Sequence, residues 1–175
     1  MKSRVLSVCA MLVAAMFLAG AAFANSGTST KPVHVKPGTT YTEPDGSGTV
    51  TNSPSSTDDV IVEETWTDDK FVSARVIVKK GVLATGKDLD KDKVDADGGK
   101  VKLDDCDGSD IKIKNGGGVD CKDCDDNNID FDGSGTLTGS DDAGRGNNNN
   151  NDVDLNNHSG AKVNKFDGKN NNIHN

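Results

Sequence analysis

Apolar residues in the middle of the chain come in pairs spaced two apart: Val101/Leu103, Ile111/Ile113, Val119/Cys121 and Ile129/Phe131. Side chains of a β-strand alternate between its faces, so each pair marks a short strand with two inward residues. The segments between them, DDCDGSD, KNGGG, KDCDDNN and DGSGT, are built from residues that favour turns. Written as two lines of eighteen, Val101 to Thr136 agrees with itself at Val101/Val119, Asp105/Asp123, Cys106/Cys124, Asp107/Asp125, Ile111/Ile129 and Gly117/Gly135. One line thus holds two strands and two turns. A two-strand unit cannot bury its own apolar face, so the lines are predicted to stack as rungs of a flattened parallel β-solenoid, like strands about 4.8 Å apart. The first aliphatic slot recurs every eighteen residues from Leu83 through Val101, Val119, Leu137, Leu155 and Ile173.

Upstream, VIVEETWTDDKFVSARVIVKK from Val60 to Lys80 reads as a β-hairpin turning at Thr67 to Lys70, with Val72, Ala74, Val76 and Val78 on one face. A lone hairpin is marginal in water, so this one is expected to close the open end of the repeat. Residues 81–100, anchored by Leu89 and Val94, read as a turn-rich irregular coil. Residues 25–58, with Pro32, Pro37, Pro44 and Pro54 among Ser, Thr and Gly, read as a disordered linker in which Val33, Val35 and Tyr41 form at most a short extended piece. Residues 138–175 are an Asn-rich polar tail or a looser continuation whose strands carry Val153/Leu155, Val163 and Ile173. The expected architecture is all-β: a small parallel β-solenoid of eighteen-residue, two-strand rungs over 59–137, preceded by a hairpin and a disordered linker.

The first 24 residues fit a signal peptide: Lys2 and Arg4, an apolar run from Leu6 to Ala22, and Ala22-Phe23-Ala24 before Asn25. Cys9 does not suit a lipid anchor, because Val8 precedes it and most of the apolar run follows it. The reading is a secreted protein (extracellular, cell-surface or periplasmic) with no membrane span after cleavage. Removing Lys2 and Arg4 leaves 18 basic residues against 28 acidic ones, a net charge of −10 compared with −8 for the whole chain. Nucleic acid and anionic membranes need a basic face, so neither is an expected partner. Glu occurs only at positions 43, 63 and 64, whereas Asp occurs 25 times and Asn 17. This bias favours turns over helices.

Export makes the cysteines informative, and three remain in the mature chain. Stacked rungs put Cys106 above Cys124 at a separation that a disulfide accepts, which is the expected pairing. Cys121 then fills an inward slot as a small buried residue or free thiol. The alternative is a redox or zinc-binding Cys121-Lys122-Asp123-Cys124 motif, for which the chain offers neither a second pair nor a βαβ context.

The same register piles Asp105 over Asp123 and Asp107 over Asp125, with Asp110, Asp130 and Asp132 nearby. Like charges opposite one another repel, so such a pile needs solvent or a cation. Calcium, with six to eight oxygen ligands in adaptable geometry, is the candidate metal at Asp105, Asp107, Asp110, Asp123, Asp125, Asp130 and Asp132, and a solvated acidic face is the other reading. The EF-hand pattern is incomplete, because no Glu follows residue 64.

No catalytic residues are assigned. His34, His158 and His174 lie in the linker and tail, and Gly116-Gly117-Gly118 lacks the Lys-Ser/Thr of a phosphate loop. The expected function is non-catalytic: a structural or adhesive surface or matrix protein, stabilised by calcium and self-associating, with extracellular polysaccharide as a candidate partner. The alternative is a small carbohydrate-active β-helix enzyme, with Asp126, Asp130 and Asp132 as its acids, or a carbohydrate-binding module. An ice-binding solenoid would want a flat threonine ladder, and Thr136 and Thr138 do not supply one.

Overall fold

The structure, a computed structural model, describes residues 27–139, 148–156, 158–166 and 168–175. The signal segment, including Cys9 and the cleavage site, lies outside the described residues, as do Asn147 and Asn157. Among the described residues there are fifteen strands and no helix.

The N-terminal strands are β1 (Thr28–Val35), β2 (Thr40–Thr42), β3 (Thr49–Asn52), β4 (Val60–Thr67) and β5 (Lys70–Lys79). Short strands follow: β6 (Leu83–Lys87), β7 (Lys93–Asp97), β8 (Lys100–Asp104), β9 (Asp110–Lys114), β10 (Gly117–Lys122), β11 (Asn128–Asp132) and β12 (Gly135–Gly139). The last are β13 (Asp152–Asp154), β14 (Ala161–Asn164) and β15 (Asn172–His174). They form two sheets, one of eight strands ordered β1-β4-β5-β7-β9-β11-β13-β15 and one of seven ordered β14-β12-β10-β8-β6-β3-β2. Strands from β5 onward pair with one another only in parallel, and the chain alternates between sheets, giving a β-solenoid of about five turns.

The paired apolar positions do what their spacing requires. Val101, Val119 and Leu137 are in register in the seven-stranded sheet, and Ile111 and Ile129 in the eight-stranded one. All of them, with Leu103, Ile113, Cys121 and Phe131, are buried between the sheets. The core is thin and aliphatic, with Phe131 its bulkiest fully buried side chain.

The eighteen-residue period is not uniform. Ala84 pairs with Val101 and Val94 with Ile111, steps of 17. Ala84 therefore takes the inward slot expected for Leu83, which is 41% exposed. Beyond β12 the steps lengthen: Ile129 pairs with Val153 (24 residues), Leu137 with Val163 (26) and Val153 with Ile173 (20). The expected column through Leu155 and Ile173 is corrected accordingly. Leu155 follows β13 and is half-buried, and Ile173 sits in the other sheet. Residues 81–100 are likewise not irregular coil but a regular part of the solenoid, carrying β6 and β7.

The hairpin β4/β5 forms as expected. Asp68 (φ 50°) and Asp69 (φ 60°) supply the two left-handed residues of a tight turn whose twist matches its strands. A register shift opposite Thr65/Trp66 leaves Val72 without a partner and 58% exposed, so it leaves the inward face to Ala74, Val76 and Val78.

Residues 28–52 depart most from expectation, because they are folded rather than a disordered linker. β1 pairs antiparallel with β4, β2 with β3, and β3 with β6, closing the N-terminal end of both sheets. The physical reason is that an existing sheet edge needs little apolar area to recruit a further strand. Val35 and Val50 are buried, and Asn52 donates to the carbonyls of Val35 (2.8 Å) and Asp58 (3.0 Å). Pro32 sits in the edge strand, where its missing N–H costs nothing.

Candidate functional site

The turns that lead from the seven-stranded sheet to the eight-stranded one hold most of the conspicuous chemistry. Each of the first three uses two left-handed residues: Asp88 and Lys91, Asp105 and Gly108, Asp123 and Asp126. Asp and Asn tolerate this conformation better than other side-chain-bearing residues, which accounts for part of their abundance.

Two hydrogen-bond ladders climb these turns. The inner one is buried. Asp92 Oδ1 accepts the Ala74 N–H (2.7 Å), and Ser109 Oγ accepts the Asp92 N–H (3.2 Å) and donates to the Leu89 carbonyl (2.6 Å). Asn127 Oδ1 accepts the Ser109 N–H (2.8 Å) and Asn151 Oδ1 accepts the Asn127 N–H (3.0 Å). Asn171 Oδ1 accepts the Asn151 N–H (3.0 Å). The amide nitrogens of Asn127 and Asn151 donate back to the carbonyls of Cys106 and Cys124, both at 3.0 Å. The outer ladder runs in the opposite sense: Asp90 accepts from the Asp107 N–H (3.0 Å), Asp107 from Asp125 (2.8 Å), Asp125 from Asn149 (2.6 Å) and Asn149 from Lys169 (2.8 Å).

The residues proposed for calcium are therefore divided. Asp107 lies below Asp125 and Asp105 below Asp123, as the repeat requires. One oxygen of Asp107 and one of Asp125 are engaged by backbone N–H groups. Burial, with the nearby carboxylates of Asp125, Asp90 and Asp105, pushes Asp107 above the usual carboxylate range, against the Asp125 N–H. Asp110, Asp130 and Asp132 are elsewhere, on the outer face of the eight-stranded sheet. Lys112 pairs there with Asp130 (3.7 Å) and Asp132 (3.3 Å), and Asn156 donates to Asp130. Among the described residues no three His, Cys, Asp or Glu side chains are grouped so as to hold a metal ion.

Like-charge stacking is relieved on the sheet faces by alternating signs. Asp95, Lys112 and Asp130 form one column, and Lys79, Asp97, Lys114 and Asp132 another. Lys114 reaches Asp95 (3.6 Å) and Asp97 (3.7 Å), and Arg75 bonds to the buried Asp95 at 2.5 Å. On the other sheet Lys122 pairs with Asp104 (3.6 Å).

Cys106, Cys121 and Cys124 are all buried and none is in a disulfide, so the expected Cys106–Cys124 bridge is not formed. The stacking that suggested it is present. A hydrogen bond with Cys124, then burial, pushes the Cys106 thiol up. In Cys124 the Cys106 contact acts downward and is outweighed by Cys121 and burial, so that thiol also rises. Each donates to local carbonyls instead, Cys106 to Asp104 (3.5 Å) and Cys124 to Lys122 (3.5 Å). Cys121 occupies the inward slot assigned to it, beside Leu103 and Gly139.

One site was hidden by the linker reading. Glu43, 4% exposed, and Asp92, 2% exposed, lie together where the cap meets the inner ladder, and Glu43 Oε1 and Asp92 Oδ2 have no donor. Two carboxylate oxygens can bond to each other only through a shared proton. Burial first, then Glu43 and Asp45, pushes Asp92 up to about 7, against the Ala74 N–H. The single Ser47 hydroxyl proton is shared between Glu43 (2.7 Å) and Asp45 (2.5 Å), and the Ser47 N–H also donates to Asp45 (3.0 Å), which together hold Asp45 below its ordinary value. Nearby, Glu64 accepts from Tyr41 Oη (3.0 Å) and Trp66 Nε1 (2.8 Å). Burial and that carboxylate raise the Tyr41 phenol. The one available signal was compositional: two of only three Glu residues lie in this cluster.

Each sheet carries a shallow trough on its outer face. That on the eight-stranded sheet, about 540 Å³, is crossed by Arg75, whose partners Glu63 and Asp95 also line it. That on the seven-stranded sheet, about 530 Å³, is lined by Leu83, Thr85, Lys100, Lys102, Gly118, Asp120, Thr136 and Thr138. No helix among the described residues is long and apolar enough to cross a membrane. In comparisons with known proteins, no family model, curated protein or solved structure matches the chain.

Proposed function

We propose that the chain is an exported, non-catalytic scaffold with a structural or adhesive role at a cell surface or in extracellular matrix. The observation that supports this reading is the pair of ladders. The Asp and Asn side chains that would otherwise suggest catalysis or metal chemistry bind backbone N–H groups of neighbouring rungs, from Asp92 to Asn171 inside and from Asp90 to Asn149 outside. A buried backbone N–H left without a partner costs about 1–3 kcal/mol, so the inner ladder in particular stabilises the rungs.

Calcium enters as a counter-ion along the stacked Asp105/Asp123 and Asp107/Asp125 edge. Millimolar calcium then raises the melting temperature and a chelator reverses the effect, whereas melting indifferent to both would remove calcium from the reading. Self-association is its other finer element: β14 and β15 are the last strands of their sheets, with Ile173 45% exposed. Sedimentation that finds only monomer at high concentration would remove it. The purified chain should be retained by surface or matrix material without consuming it. Polysaccharide turnover that disappears on replacing Asp126 or Asp130 would overturn the non-catalytic reading.

A further inference from the structure

We propose that the trough on the outer face of the seven-stranded sheet, centred on Gly118, binds a linear carboxylate-bearing polysaccharide of the polyuronate class. It rests on the adhesive reading only in taking an extracellular polymer as the occupant.

The charge of this face is opposite to that of the chain. Its outward positions carry Lys87, Lys100, Lys102, Lys122 and Lys162 against Asp104 and Asp120, in a protein of net charge −8. Lys122 pairs with Asp104, Lys102 with Asp120 at 3.9 Å, and Lys87 with Asp88. Lys100 and Lys162 have no ion-pair partner among the described residues. The matching trough on the other sheet differs in this respect, because the Arg75 that crosses it is held by two acids.

The shape follows from one residue. Leu83, Lys100, Gly118, Thr136 and Lys162 form a single column across five successive strands. Lys100 and Lys162 stand three steps apart, roughly 14 Å at the usual strand spacing. Gly118 leaves the dent between them. Its neighbour Gly117 has to be glycine, because a Cβ there would collide with the Ala96 carbonyl. Gly118 is under no such constraint: its φ is not left-handed, and a Cβ would meet only Lys100 Cγ at 3.5 Å and the Thr136 carbonyl oxygen at 4.0 Å. The dent is therefore not demanded by the fold, and a side chain can fill it.

The lining selects the ligand. A trough running across the strands suits an extended chain, with the Lys100 ammonium inside it and that of Lys162 one strand beyond Thr136 for carboxylates, the hydroxyls of Thr85, Thr136 and Thr138 for sugar hydroxyls, and Leu83 as an apolar patch at one end. Nucleic acid fits poorly. Trp66 and Phe71, which could stack on bases, belong to the other sheet, and this face offers no aromatic platform among the described residues.

The test is titration calorimetry of the purified chain with polygalacturonate and alginate oligosaccharides, and with a neutral glucan of equal length, at low and high salt. Wild type is expected to bind both polyuronates, more weakly as salt rises, and to ignore the glucan. Gly118→Thr, checked for its β-sheet circular dichroism, and the pair Lys100→Glu with Lys162→Glu should each weaken binding roughly tenfold or more, equivalent to about 1.4 kcal/mol. Lys70→Glu, at the start of β5 in the other sheet, should leave it unchanged. Absence of polyuronate binding, equal binding of the glucan, or indifference to Gly118→Thr would overturn the site. Retention of wild type and Gly118→Thr alike on surface material would overturn it while leaving the adhesive reading intact.

Discussion

Asp92→Asn isolates the junction between cap and solenoid. Asp92 is the first side chain of the inner ladder. One oxygen holds the Ala74 N–H, and the other is buried against Glu43 without a donor. Its folded-state value of about 7 lies above the ordinary 3.8, so between those pH values the folded chain binds more protons than the unfolded one. Stability attributable to Asp92 is then greatest below 3.8, falls as pH rises through the window, and levels off above about 7. At 1.36 kcal/mol per pH decade, the loss is at most about 4 kcal/mol. Asparagine keeps the acceptor for Ala74, offers Nδ2 to the Glu43 carboxylate, and extends the asparagine series of Asn127, Asn151 and Asn171 by one rung. Urea unfolding followed by far-ultraviolet circular dichroism from pH 4 to 9 should give similar stabilities for the two proteins at pH 4. At pH 8 the variant should be more stable by about 2–4 kcal/mol. The comparison between proteins removes the pH dependence that both share through their other acids. Parallel curves, or a variant less stable than wild type at pH 8, would refute the reasoning.

Three further outcomes follow from the same geometry. Asn151→Ala removes the acceptor for the Asn127 N–H and the donor to the Cys124 carbonyl, and should cost about 2–4 kcal/mol in denaturant unfolding. A loss below half a kcal/mol would mean that the inner ladder is not a stabilising element. Gly117→Ala should destabilise by about 1–3 kcal/mol because its Cβ meets the Ala96 carbonyl, whereas Gly118→Ala should be near neutral; equal effects would contradict the assigned packing. Cys106, Cys121 and Cys124, buried with Cys106 and Cys124 raised, should resist an aromatic disulfide reagent in the folded protein expressed without residues 1–24, and react as three thiols in denaturant. Rapid reaction without denaturant, or a mapped Cys106–Cys124 bridge, would contradict the buried, unbridged packing.

The solenoid was legible where apolar pairs recur on a fixed period. Val101/Val119 and Ile111/Ile129 specify register because a one-residue slip would turn every inward side chain to solvent. The same arithmetic misplaced Leu83 because the β6 to β8 step is 17, and misplaced Leu155 and Ile173 because the later steps are 24, 26 and 20. Variation in turn length leaves no mark on the apolar pattern. Residues 28–52 were misread for another reason: their strands use backbone pairing and Thr–Thr contacts such as Thr40/Thr51, and contribute few buried apolar residues, so composition resembles a linker. Glu43 was lost with them. The ladder role of the acidic turns was not legible, because a carboxylate that accepts a neighbouring rung's N–H looks the same in sequence as one facing solvent or a cation. Their spacing held a clue, since Asp90, Asp107 and Asp125 recur at 17 and 18 while Asp95, Lys112 and Asp130 keep that period with alternating sign.

The central claim is that the acid- and asparagine-rich turns are structural ladders, and amide hydrogen exchange followed by NMR tests it most directly. The N–H groups of Ser109, Asn127, Asp125 and Asn151 lie outside strands and would exchange freely in ordinary exposed turns. The ladders require them to be protected on the order of a thousandfold, equivalent to about 4 kcal/mol of opening free energy, alongside Ile111 and Ile129. Protection of the strand amides together with free exchange at all four turn amides would contradict the account.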